Sequence, residues 1–180
     1  MQNSELEKLR YPIGKFSSNE KADKKEIKKW IVEIEALPGL AQNSVKGLNE
    51  KQLSTPYRKD GWTVRQVIHH LADSHINAYC RMKLALTENH PTIKPYEETL
   101  WAEFDDAKNL PVEISLKLLD GLHTRWAHLL NKLSEKDFAK TVYHPESGRD
   151  MSVKFLTQLY SWHGMHHCAH ITELRKRNKW

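Results

Sequence analysis

Cysteine is scarce. The 180 residues hold only 2, Cys80 and Cys168, which excludes a disulfide framework and a Cys-rich zinc finger. Neither thiol sits in an activating motif, so both read as small buried hydrophobes rather than nucleophiles. No apolar run approaches the length of a membrane span. The stretch from Met1 to Arg10 is polar and charged and lacks the apolar segment of a signal peptide, so a cytoplasmic protein with no membrane partner is expected. Glycine and proline number 7 each, too few and too dispersed for a linker. With no internal repeat and no low-complexity tract, residues 1–180 read as a single domain. Strand-like alternation is nearly absent. One-sided charge is also weak, 28 Lys+Arg against 23 Asp+Glu for a net +5. That balance suits a small-molecule substrate and gives no long basic stripe for nucleic acid. A DNA-associated stress-response binding module, suggested by Arg175, Lys176, Arg177 and Lys179, is therefore the weakest of the function classes considered.

What is present is helical periodicity. Helix one begins near Glu20 and runs through Trp30, Ile31, Ile34 and Leu37. Pro38 and Gly39 predict a break or kink, with resumption through Leu40, Val45 and Leu48. Helix two follows Gly61, capped by Thr63 with Gln66 completing a capping box, and continues to about Thr87. Glu88 to Asn109 carries Pro91 and Pro95 and reads as a long crossover with a short helical patch around Leu100, Trp101 and Phe104. Helix three follows Pro111 and uses Leu119, Leu122, Trp126, Leu129, Leu130 and Leu133. A polar connection with Pro145 and Gly148 leads to helix four, capped by Ser152 and running from Val153 to about Lys176. The expected class is all-α, a four-helix bundle with a long crossover between helices two and three.

Histidine is the surplus, with 11 in the chain. Many of them fall in helices two and four. With Leu156 as zero and 100° per residue, His163 lies at about −20° and His167 at about +20°, in the centre of the apolar stripe. Residues four apart stand one above the other, so two imidazoles can reach one ion. The competing reading is a polar core in which the histidines satisfy one another. On helix two the wheel slightly favours His75 over His70, and the third ligand stays open at this point. With so little cysteine, any transition metal must be bound through imidazole and carboxylate.

Longer stretches carry a resemblance. GWTVRQVIHHLADSH (Gly61 to His75) and WHGMHHCAHI (Trp162 to Ile171), together with YPIGKF, LHTRWAHLL and YHPES in collinear order, resemble the DinB/YfiT-like superfamily. Within it the chain looks closest to the YfiT-type metal-dependent hydrolases. The resemblance implies a bundle that binds one divalent ion, Zn2+ or Ni2+, through three histidines. Residue by residue, these map to His70, His163 and His167. It also implies a homodimer.

Three imidazoles leave a divalent ion with open positions, where it acidifies water or polarises a carbonyl. The function expected is therefore hydrolysis of a small molecule. The alternative is a bacillithiol S-transferase, in which the ion favours the thiolate of a low-molecular-weight thiol partner. Asp73, His166, His170 and Glu173 are candidate acid, base or orienting groups. Trp126 and Trp162 are candidates for a pocket wall or for core, and His90, His123, His128 and His144 read as surface or structural.

Overall fold

Long helices in this chain start where a side chain can cap them. The computed structural model describes residues 2–180; Met1, the start of the polar leader, lies outside the described residues. A first helix, α1 (Gln2–Arg10), precedes the capped series. Asp23, Thr63 and Ser152 each accept a hydrogen bond from the backbone N–H three residues on, opening α2 (Lys24–Val45), α4 (Val64–Thr87) and α9 (Val153–Asn178). The remaining long helix, α7 (Val112–Leu130), starts behind Pro111. Short helices α3 (Glu50–Leu53), α5 (Glu98–Trp101), α6 (Asp105–Asn109) and α8 (Glu135–Phe138) fill the connections.

α2 and α4 each pack against both α7 and α9, and so occupy opposite corners of a four-helix bundle. The crossover between α4 and α7 carries α5 and α6, which lie against α4. No helix among the described residues is long and apolar enough to cross a membrane.

The structure corrects three details of the sequence reading. Helix one starts at Lys24 rather than Glu20, and of the expected break or kink at Pro38 the break is absent, since one helix runs through it to Val45. Proline removes an N–H and so leaves the carbonyl four residues earlier without its intrahelical donor. That carbonyl belongs to Ile34, and the Nδ1–H of His123 donates to it at 2.6 Å. The polar connection before α9 folds into an antiparallel hairpin, β1 (Thr141–His144) with β2 (Arg149–Ser152). Gly148 supplies its positive φ of 61°. Helix three ends at Leu130, short of Leu133.

The buried apolar side chains form two clusters stacked along the bundle. One gathers Ile34 of α2, Ala78 and Met82 of α4, Trp126 of α7, and Leu156 and Tyr160 of α9. The other gathers Leu37, Leu71, Leu119 and Ile171 from the same four helices. Between these levels each of α4, α7 and α9 places histidines: His75 on α4, His123 on α7, and His163 and His167 on α9. A polar layer thus crosses the middle of the core.

α2 and α9 approach closely beside that layer. A Cβ on Gly164 would lie 2.5 and 2.7 Å from the two Leu37 Cδ atoms, and Leu37 is itself buried. Gly164→Ala is expected to lose about 1–3 kcal/mol, the usual cost of overpacking, despite the better helix propensity of alanine. Leu37→Ala makes room for the added methyl. In urea unfolding the double variant should therefore be more stable than the sum of the two single losses implies.

Candidate metal centre

His70 comes from α4, and His163 and His167 come from consecutive turns of α9. The antiparallel pairing of the two helices brings the rings together although they are remote in the chain. One ring nitrogen from each lies within 4.8 Å of the others. Ring centroids stand 4.5 Å apart for His163 and His167, 4.7 Å for His70 and His167, and 5.4 Å for His70 and His163. His70 and His167 are buried, and His163 keeps part of its surface open. Trp62 leans on the His70 ring at 4.5 Å and limits its rotation.

Burial sets the charge state. It lowers the His70 pKa to about 4. His163 and His167 are pushed well below their ordinary value by burial first, and then by the neighbouring histidines. All three are neutral near pH 7, each with one lone pair free of a proton. Among the described residues neither His70 nor His167 makes a hydrogen bond through its ring, and the Nδ1 of His167 is sealed from solvent without a partner. An orphaned polar atom of this kind costs about 1–3 kcal/mol. Three neutral, converging imidazoles with unmet lone pairs fit a divalent metal ion, and the site has the donor set that such an ion takes.

The cluster forms one wall of a cleft of about 320 Å³. Tyr11, Tyr57, Trp62 and Trp162 supply aromatic surface, and Arg10, Arg58 and Glu98 stand among its lining residues. His166 stacks on Trp162 at 4.4 Å and His170 on Tyr57 at 4.0 Å. His170 donates its Nε2–H to the Arg10 carbonyl at 3.1 Å, so its buried Nδ1 is an acceptor. A more voluminous concavity of about 660 Å³ lies between α2 and α8, but no histidine lines it. Chemistry therefore selects the smaller cleft.

The other expected residues divide. His166 and His170 line the cleft, and so does Trp162. Asp73 does not; partial burial and the nearby Asp106 raise its carboxyl to about 6. Glu173 pairs with Lys176 at 2.6 Å and turns to solvent. Trp126 is core. Cys168 is buried, its thiol pushed up to about 12, whereas Cys80 is exposed, contrary to its expected burial. His90 is exposed and pairs with Asp150 at 2.7 Å. His123, expected to be surface or structural, is fully buried, and His75 lies against it with 3.1 Å between His75 Nδ1 and His123 Nε2. Periodicity favoured His75 over His70 because it ranks burial, and it has no term for which neighbour a buried ring meets.

A model of the DinB superfamily matches residues 33–171. The chain belongs to the DinB superfamily. A Bacillus cereus relative described as "Putative metal-dependent hydrolase" is 55% identical over 96% of this chain and 98% of its own length. A Bacillus mycoides relative of the same description is 54% identical over 97% of this chain and 100% of its own. The solved structure of YfiT from Bacillus subtilis is 46% identical and superposes with a TM-score of 0.94 over 96% of this chain and 99% of that one. It is described as "a probable metal-dependent hydrolase with an unusual four-helix bundle topology", and the four-helix bundle found here has that architecture.

Buried neutral histidines make stability depend on pH. Between the ordinary value of 6.5 and a folded value of about 4, the unfolded chain binds protons that His70, His123 and His166 in the fold refuse. Stability of the metal-free protein is full above the unfolded value and is lost as pH falls through that window. Asp73, raised to about 6, and Glu98, also raised by burial, oppose this, but as two groups against several. The urea midpoint of metal-free protein should be lower at about pH 5 than at about pH 7.5.

Proposed function

We propose that the protein is a metal-dependent hydrolase acting on a small molecule, with one divalent ion, Zn2+ or Ni2+, held by His70, His163 and His167. The observation that carries this reading is the convergence of three neutral imidazoles on the wall of an open cleft. A divalent ion bound by three imidazoles keeps open positions and supplies a Lewis acid together with an acidified water. The chain's own residues bind and orient the substrate. Tyr11, Tyr57, Trp62 and Trp162 offer flat apolar surface and exclude water. His166, lowered to about 4 by burial, is neutral near pH 7; with its Nδ1 sealed from solvent, its Nε2 is the atom left to form a hydrogen bond with substrate. His170, lowered to about 3 by burial and then by His166, has its Nε2–H on the Arg10 carbonyl and its Nδ1 sealed, so it shapes the cleft wall rather than binding substrate through a ring nitrogen. A homodimer and a cytoplasmic location belong to the same proposal.

A second reading is metal-dependent thiol transfer, with bacillithiol or a similar thiol attacking an electrophilic small molecule. The charge balance of the cleft favours it. Glu98 is the only carboxylate among the lining residues, against the guanidinium groups of Arg10 and Arg58. A thiol cosubstrate bearing carboxylates matches that balance.

Purified wild-type protein is expected to carry about one divalent ion per chain and His163→Ala to carry almost none. Equal, negligible metal in both overturns the proposal. Ester and amide substrates in one assay arm, and bacillithiol with an electrophile in the other, separate the two readings. Metal-dependent turnover in the first arm supports hydrolysis, and turnover only in the second supports S-transfer.

A further inference from the structure

Three histidines outside one another's helical turns form a single directed chain through the core. It begins at the Ile34 carbonyl, which Pro38 leaves without an intrahelical donor. A carbonyl only accepts, so His123 must carry its proton on Nδ1, 2.6 Å away. Both His123 and His75 are fully buried. Full burial disfavours a charged imidazole at both positions, so each is neutral and has one N–H. His123 Nε2 is then an acceptor, and the group facing it at 3.1 Å is His75 Nδ1. His75 therefore donates through Nδ1 and accepts at Nε2. The group facing that nitrogen, again at 3.1 Å, is His163 Nδ1. His163 must donate in turn, and its one remaining nitrogen, Nε2, is left as a bare lone pair. Every ring in the series has a single tautomer, dictated from the far end by one proline.

We propose that His75 and His123 are positioning residues, which fix His163 in its Nδ1–H tautomer and aim its Nε2 lone pair at the shared centre with His70 and His167. This rests on the reading of His163 as a metal ligand. The chain does two things for that ligand. It removes the tautomer whose Nε2–H would block coordination, a choice that a free imidazole makes anew. It also clamps the ring angle, since rotation about χ2 would break a buried hydrogen bond.

The direct test is the ring-nitrogen NMR spectrum of metal-free wild-type protein carrying isotope-labelled histidine, near pH 7.5. His123, His75 and His163 should all show the Nδ1–H form, and zinc should shift His163 Nε2 while its Nδ1–H persists. An Nε2–H form at His163 overturns the proposal. The second test is zinc affinity, with helical content checked by circular dichroism. His75→Phe should weaken binding about 10–100-fold. His123→Leu should weaken it in the same direction, and His123→Gln should restore it. A glutamine can still donate to the Ile34 carbonyl and accept from His75, whereas leucine can do neither. Wild-type affinity in a folded His75→Phe protein also overturns the proposal. The expected tautomers without any zinc binding would instead sink the metal reading and leave the tautomer assignment standing.

Discussion

A buried imidazole has two nitrogens to satisfy and cannot carry its charge cheaply, and this constraint organises the bundle. The apolar core is divided into two clusters, with a histidine layer between them drawn from α4, α7 and α9. A layer of that kind is costly unless each polar atom finds a partner. Here the partners form a line that begins at a backbone carbonyl of α2 and ends at His163. Pro38 and His123 are two halves of one device, since the proline frees the carbonyl and the histidine satisfies it. Gly164 belongs to the same level, where it lets α9 lie against Leu37 of α2.

Stability and function are coupled at this layer. His70, His163 and His167 lie on helices that meet only when the bundle is closed, so the donor set exists only in the folded chain. In the metal-free protein the same rings are a burden, neutral and in part unpartnered. An ion there would satisfy the lone pairs that the fold leaves open, and ligand binding to the native state alone stabilises it. The other lining residues are largely aromatic, and Arg10 and Arg58 outnumber Glu98 among them. With an ion held there, the cleft would pair an electrophilic centre with surface suited to a flat or anionic small molecule, as proposed above.

Much of this was legible in the residues. The caps at Thr63 and Ser152 and the apolar stripes of α4, α7 and α9 follow from local chemistry and helical period, which need no knowledge of the partner helix. The stripe-centred His163 and His167 were visible for the same reason. Other features were hidden because they depend on tertiary contact. Pro38 looks like a terminator until a side chain from α7 supplies the donor that its carbonyl lacks. His123 looks like an ordinary polar residue on α7, and only the helix pairing shows it to be buried. The hairpin at Thr141–Ser152 is too short for alternation to register. The choice of His70 over His75 came from family resemblance, since a helical wheel measures burial. The geometry explains why both are buried. His70 faces the shared centre and His75 stands behind His163.

The central claim is that three histidines from α4 and α9 hold one ion, with His163 coordinating through Nε2. Anomalous diffraction from crystals grown with zinc tests it most directly. The account predicts one strong peak per chain, about 2.0–2.1 Å from ring nitrogens of His70, His163 and His167, with His163 Nδ1 still against His75. A peak at other residues, or none at saturating zinc, would contradict it.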